Sequence, residues 1–308
     1  MNSLTASHSL PRVMVLLATH NGEAWLDAQL ESLYAQTGVC VNVVANDDQS
    51  FDGTPEILDK WGQSHGLVQI QGSGKKQGSA NRNFMQLLGC AAVGDADYVA
   101  LSDQDDIWNS DKLLRAVTQM QAVGAVAYSG NVEAFWPQGR TRIIYKSQPQ
   151  KVLDHIFSSP GPGCTFVFTR ALFLQIQTWV SEHCKLLSDL WVHDWIIYAY
   201  VRGQGYEWLI DDYVSLRYRQ HGTNDIGAND GLKAIRQRLK RVRSGKYQQD
   251  LLAIACLAQA PMRLVQALER LAWHDRLWLI SRGYQFRRRF KEVLALMLIF
   301  VVIKRPPT

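Results

Sequence analysis

The 308-residue sequence has no C-x-x-C pair and no zinc-ligand spacing among its five cysteines, Cys40, Cys90, Cys164, Cys184 and Cys256. Scattered thiols exclude a disulfide framework and point to a reducing compartment. The apolar run Val293 to Ile303 is eleven residues, well short of the roughly 20 a membrane-crossing helix needs. The opening "MNSLTASHSLP" is polar, so no secretory signal is expected. Internal repeats and low-complexity tracts are missing. No G-x-x-x-x-G-K-[ST] occurs, and in the loop Gln71–Gly78 a glutamine, Gln77, stands where G-x-G-x-x-G needs its third glycine. A P-loop or dinucleotide fold is therefore excluded. What remains is an ordinary globular composition, 47% apolar and 20% charged.

Charge is unevenly placed. Residues 1–225 carry a net −7 and residues 226–308 a net +12, which together give the +5 of the whole chain. An acidic body with a basic tail implies two different jobs. Within the body, Arg12 to Ala18 is a continuous apolar run bounded by Pro11 and by Thr19-His-Asn-Gly22, the pattern of a fully buried parallel strand with its exit loop. Helical spacing over 23–36, a strand over 39–45, a helix over 54–61, a strand over 68–70, a helix over 83–92 and a strand at Tyr98–Leu101 follow. This alternation predicts an α/β fold with a mostly parallel central sheet. Helices over about 171–183 and 192–202, strand pieces over 208–219 and a nearly all-helical remainder complete the expectation.

Polar residues gather where the strands end: Thr19 and Asn21, Asp47 and Asp48, Asp103 and Asp105. Ligands of open α/β sheets sit outside the carboxyl ends of the strands. The stretch "LSDQDDIWNSDKL" sets Asp103, Asp105 and Asp106 directly after a buried strand. Carboxylates that close repel and resist desolvation, so a positive partner is expected. A divalent metal holding a diphosphate would supply it. Alternatively, these carboxylates cap the helix beginning near Asp111 and face water.

Taken in order, "ATHNGEAWL", "NDDQSFDGT", "SDQDDIWNSDKL", "HDW" and "YRQHGTN" resemble the motifs of family 2 glycosyltransferases with the GT-A fold. The long carboxylate motif with Trp108 and Lys112 is similar to the bacterial rhamnosyltransferase branch, and the likeness covers about residues 12–225. The resemblance implies a nucleotide-sugar pocket lined by Thr19, Asn21, Glu23, Asp48, Asn81 and Asp103. It implies Mg²⁺ or Mn²⁺ on Asp105 with a further contact from His221. Asp194 falls where the family keeps its catalytic base, although as a residue it could equally be the N-cap of the helix that follows. The flanking Trp191 and Trp195 would suit stacking on a sugar. His20 departs from the usual tyrosine and Gln49 from a glycine, which bears on nucleotide preference. The Q-x-x-R-W motif of processive members is missing after Asp194, so transfer of one sugar is expected.

The resemblance thus implies a metal-dependent, inverting glycosyltransferase taking L-rhamnose from dTDP-rhamnose. The acceptor would be a lipid-linked or lipopolysaccharide (O-antigen) glycan. The alternative is a non-catalytic nucleotide-sugar or glycan-binding protein on the same scaffold. The basic tail, residues 226–308, holds "LKAIRQRLKRVRSGK" at Leu232–Lys246, seven basic residues and none acidic, with Leu232, Ile235, Leu239 and Val242 on one helical face. With Arg287–Lys291 and the following apolar run it suits an anionic membrane surface, or a helix docked on the body. No nucleic-acid motif accompanies the charge. The expected location is the bacterial cytoplasm, on the inner face of the membrane.

Overall fold

A computed structural model describes residues 9–70, 76–190, 192–221 and 239–305. Strand and helix alternate first: β1 (Arg12–Thr19), α1 (Leu26–Tyr34), β2 (Cys40–Asp47), α2 (Thr54–His65), β3 (Val68–Gln69), α3 (Ala80–Cys90) and β4 (Tyr98–Ser102). There follow β5 (Ile107–Trp108), α4 (Lys112–Val123), β6 (Ala127–Phe135), β7 (Thr141–Ile144), β8 (Val167–Thr169), α5 (Arg170–Asp189), α6 (His193–Gly203) and β9 (Trp208–Arg219). The basic tail supplies α7 (Lys246–Leu257), α8 (Met262–Arg270), α9 (Trp273–Ser281), α10 (Gly283–Phe286) and α11 (Phe290–Val302). Trp191, Leu232 and Ile235 lie outside the described residues, while residues 239–243 are helical.

The strands form one sheet in the order β3-β2-β1-β4-β8-β6-β9-β5, with β7 beside β6. The pairs β2–β3, β1–β2 and β1–β4 are parallel, as the unbroken apolar runs predict, and so is β6–β9. Antiparallel pairing enters where β8 is wedged between β4 and β6, and again where β7 and β5 join the second half. The sheet is therefore parallel in its first half and mixed in its second. β1 sits centrally and buries both faces, with Val15 and Leu17 in one apolar cluster and Leu16 and Ala18 in the other. Thr19 pairs with Asp47, and Leu17 with Ser102. That register sets three polar strand ends flush along one edge.

The helices after 239 share the body's core. Val242, Leu251, Leu264 and Phe300 belong to the apolar cluster that holds Phe84, Phe157 and Trp195. Phe157 stacks on Phe286 at 4.4 Å between ring centroids and meets Phe300 edge-on at 6.0 Å. Arg276 donates to the carbonyl oxygens of Phe300 (2.6 Å), Val301 (3.2 Å) and Ile303 (2.9 Å). A cation there satisfies the orphan carbonyls that end α11.

Candidate active site

The carboxyl edge of β1, β2 and β4 is tied by side chains the sequence had singled out. Thr19 donates from its hydroxyl to Asp47 at 2.8 Å. Asn21 adopts a left-handed φ of 50°, and its side-chain oxygen accepts from the Phe51 N–H at 3.1 Å. Glu23 accepts from the Gly53 N–H at 3.0 Å. Both oxygens of Asp48 accept backbone N–H groups, from Gln77 and from Gly78 (2.7 Å). Gln49, where the resemblance expects glycine, carries a φ of 54°. The departure therefore leaves a side chain in a backbone region that glycine occupies at no cost. Asn81 stands apart on α3: its amide donates to the carbonyls of Leu187 (3.1 Å) and Leu190 (3.2 Å), and its own oxygen is buried without a partner.

The loop after β4 reaches the same edge. Gln104 accepts from the His20 N–H at 2.7 Å and donates to the His20 carbonyl at 2.9 Å, fastening this loop to the exit of β1. Asp105 meets the His221 ring nitrogen Nε2 at 2.6 Å. His221 in turn stacks on Trp25 at 4.1 Å. Residues 105 and 221, far apart in sequence, are thus paired. Arg219 donates through Nε to the Asp105 carbonyl at 2.8 Å, and its backbone N–H donates to Asp106 at 3.2 Å. The helix-cap alternative for these carboxylates does not hold. Asp111 is the residue that precedes α4, and its carboxylate accepts from the Tyr213 hydroxyl at 2.6 Å.

Asp106, Cys164 and Lys112 form a floor beneath this loop that the resemblance did not assign. Asp103, Asp106 and Cys164 bring ligand atoms within 4.8 Å of one another. Burial first, then the charges of Asp105 and Asp103, push the Asp106 carboxyl well above its usual range. Lys112 is fully buried, with its ammonium 3.2 Å from the centre of the Trp108 ring. Burial lowers its pKa to about 7. Burial also raises the Cys164 thiol, with the Asp106 charge adding to it, so Cys164 is a poor ligand for a hard cation. Carboxylates such as Asp103 and Asp105 and an imidazole such as His221 are the kinds of donor that suit Mg²⁺ or Mn²⁺, and of these Asp105 and His221 are in contact.

Asp194 lies in the first turn of α6, and the residue before that helix is Val192, so Asp194 is not its N-cap. It is recessed but part of it remains exposed. Burial raises its pKa to about 6, against the pull of the Trp195 N–H, the Lys146 charge and a hydrogen bond with Ser159. The Trp195 N–H donates to it at 2.6 Å. Trp195 itself is buried, its indole donating to the His155 carbonyl at 3.1 Å, so this ring is packing rather than a sugar platform. The neighbouring His193 stacks on Phe84 at 4.0 Å and is kept neutral by burial, its pKa lowered to about 3. A Cβ on Gly163 would fall 2.2 Å from His193 Nε2. Gly163 precedes Cys164, so this turn joins the Asp194 region to the carboxylate floor.

The family model for glycosyl transferase family 2 matches residues 14–174. The chain belongs to that family. It is 35% identical over 240 residues to a dTDP-rhamnosyl transferase, RfbG of Shigella flexneri, covering 78% of this chain and 83% of that one. Among solved structures, S. aureus TarS residues 1–349 in complex with UDP-GlcNAc superposes with a TM-score of 0.58 at 16% identity, over 92% of this chain and 83% of that one. Mannosyltransferase PcManGT from Pyrobaculum calidifontis, in complex with GDP-Man and Mn²⁺, gives 0.50 at 16% identity over 96% and 85%. The fold is GT-A, and the protein is a family 2 glycosyltransferase that uses a nucleotide-sugar donor.

Proposed function

We propose that this glycosyltransferase moves one L-rhamnose from dTDP-rhamnose, with inversion, onto a glycan carried by a membrane lipid. The observation that carries this reading is Asp194, a recessed carboxylate with a pKa of about 6, joined by the Gly163–Cys164 turn to the carboxylate loop. A group of that pKa is ionised at neutral pH and still basic enough to take a hydroxyl proton. The acceptor oxygen attacks the anomeric carbon from the face opposite the diphosphate. The bond from that carbon to the phosphate oxygen breaks, the proton passes to Asp194, and dTDP departs. Asp103, Asp105 and His221 would hold Mg²⁺ or Mn²⁺, which neutralises charge on the leaving diphosphate. Thr19, Asn21, Glu23 and Asp48 shape the loops around the nucleotide, while Asn81 acts from behind, tying α3 to the end of α5. Similarity to a dTDP-rhamnosyl transferase at 35% supports the choice of donor.

The tail supports membrane attachment in a form the sequence did not anticipate. Val293, Leu296 and Phe300 of α11 are buried, whereas Phe290, Leu294, Leu298, Val301 and Val302 face outward. Trp273, Leu277 and Tyr284 of the preceding helices are also exposed, and Arg289, Lys291, Lys304 and Arg305 lie at the ends of α11. Among the described residues no helix is long and apolar enough to cross a membrane. An amphipathic face with basic flanks lies in an anionic interface instead. Residues 1–225 and 226–308 would then divide transfer from attachment while sharing one core. The test is a panel of nucleotide sugars with membrane-extract acceptor, with and without Mn²⁺, scored by release of nucleoside diphosphate. Release from dTDP-rhamnose, dependent on the metal and on the extract, is expected; preference for a UDP-sugar sinks the donor assignment. Binding of donor without turnover would favour a non-catalytic protein.

A further inference from the structure

A second charged constellation borders Asp194, and the transfer reaction as described does not use it. Asp154 is fully buried and accepts from the Tyr198 hydroxyl at 3.2 Å. Arg202 lies 3.8 Å from it and Arg288 3.5 Å. Arg288 comes from the far end of the chain, yet only 4% of its side chain is exposed. Its Nη2 donates to the Ser159 carbonyl at 2.5 Å, while its Nη1 is buried with no hydrogen-bond partner. Ser159 is the residue that hydrogen-bonds Asp194. Lys146 approaches the same loop from the other direction: a Cβ on Gly161 would sit 3.9 Å from its Cβ. The Lys146 backbone N–H is held by Asn131 at 2.6 Å, but its ammonium has no hydrogen bond or ion pair among the described residues. It feels the charges of Asp194, Glu292, Arg288 and Arg289.

The charges do not balance. Lys146, Arg202, Arg287, Arg288 and Arg289 face Asp154, Asp194 and Glu292, which leaves two positive charges in excess. Arg202 and Arg288 serve Asp154, and Arg287 lies 3.9 Å from Glu292. Lys146 and Arg289 are left to share Asp194, and Arg288 keeps one N–H unspent. An excess of recessed positive charge is costly unless an anion arrives, and burial already lowers the Lys146 pKa against the opposing pull of Glu292 and Asp194.

From this geometry we infer that Lys146 and Arg288, with Arg289 beside them, form an anion subsite for the phosphate or diphosphate that links the acceptor sugar to its lipid. Arginine and lysine are the side chains suited to phosphate, the first by paired N–H groups and the second as a point charge. The subsite adjoins Asp194, so the reacting hydroxyl belongs to a sugar attached directly to that phosphate. Arg288 and Arg289 immediately precede α11, which places the lipid on the side of the exposed apolar face. This inference rests on Asp194 being the base, but its test does not.

The full chain, saturated with dTDP so that the donor site is filled, is titrated with geranyl diphosphate and with geraniol. Wild-type protein is expected to bind the diphosphate and not the alcohol. Lys146→Met should weaken that binding at least tenfold while leaving the melting temperature and dTDP affinity unchanged. Arg288→Lys provides a second variant that keeps the charge next to Asp154, with a smaller loss expected from its missing paired N–H groups. Asp194→Asn should retain the binding whatever its effect on turnover, which separates this test from the base assignment. Vesicles of phosphatidylglycerol, free of diphosphate, form the remaining arm. Equal loss of vesicle binding in Lys146→Met would reassign the phosphate to lipid headgroups and overturn the acceptor subsite. Unchanged geranyl diphosphate binding with only a shifted pH profile would likewise overturn it, leaving Lys146 as a neighbour that tunes Asp194.

Discussion

The proposed donor and acceptor parts of the site are built differently. On the donor side, Thr19, Asn21, Glu23, Asp47 and Asp48 find their partners among residues 19–78, each bond closing a loop between neighbouring parallel strands. On the acceptor side, Asp194 depends on Ser159 and Lys146, and Ser159 on Arg288. Those residues are spread over 143 positions of the chain. The nucleotide loops are a local product of strand register, whereas the proposed acceptor part, like the Asp105–His221 pair, draws on residues far apart in the chain. Damage to the first should therefore show in donor binding, and damage to the second in turnover and acceptor use.

The sharpest way to break that comparison is to remove one charge from each side. Asp194→Asn should lower kcat by about 10²–10⁴-fold, the usual contribution of a general base, with donor affinity nearly intact. Asp105→Ala should instead weaken Mn²⁺-dependent binding of dTDP, because the diphosphate loses its counter-ion. Titration of dTDP with and without Mn²⁺, set beside initial rates, reads both. If the Asn variant turns over normally, Asp194 is not the base.

A smaller effect appears in the pH dependence. Burial raises the Asp194 carboxyl to about 6, so its reactive, ionised form is lost as pH falls through that value. The rate should then drop about tenfold for each unit below pH 6, the slope of a single protonation. A rate that stays flat to pH 5 would remove the need for an ionised Asp194. Donor affinity measured over the same range should not follow this titration.

Stability offers a third contrast. Gly163 stands where a Cβ would fall 2.2 Å from His193 Nε2, a ring wedged against Phe84. Gly163→Ala forces that ring and the start of α6 to move, at about 1–3 kcal/mol for overpacking. Thermal unfolding measures the cost, and kcat should fall with it because Asp194 follows His193. On the donor side, a Cβ on Gly66 would meet nothing within 4 Å, so only its φ of 73° opposes alanine there, and donor binding should survive.

The same contrast explains what could be read from the sequence. The apolar run at Arg12–Ala18 and the polar residues at each strand exit follow rules of period and edge that act over a few residues. The order β1 to β4 and the carboxylate loop were legible for that reason. β6 was not: Ser129 and Asn131 are fully buried in mid-strand, residue types that local propensity assigns to turns. They are tolerated because Asn131 binds the Asp212 carbonyl at 2.8 Å and the Lys146 N–H at 2.6 Å. Asp106 was visible as a third carboxylate, but nothing local marked it as the buried one. Pairing of Arg288 with Asp154 leaves no trace in sequence spacing, since tertiary packing alone creates it. The short helix cap written into Asp194 failed for the opposite reason, local plausibility without local use.

The tail allows the finest division, within a single helix. Leu296 and Leu298 are two residues apart on α11, yet Leu296 is 1% exposed and Leu298 69%. Leu296→Ala should cost about 2–5 kcal/mol, as for a leucine removed from a packed core, and the whole chain should melt earlier. Leu298→Ser should leave the melting temperature alone, because the side chain makes little use of the core. Its loss should appear on vesicles of anionic lipid, where burying a leucine contributes about 1.5–3 kcal/mol when complete. Partial insertion of one side chain among several makes about a tenfold fall in vesicle affinity the upper expectation. Raising salt should weaken binding by both wild type and variant, since screening contracts the reach of the basic flanks from about 10 Å at 0.1 M to 3 Å at 1 M. A Leu298→Ser protein that binds vesicles as well as wild type would mean that this face meets something other than lipid.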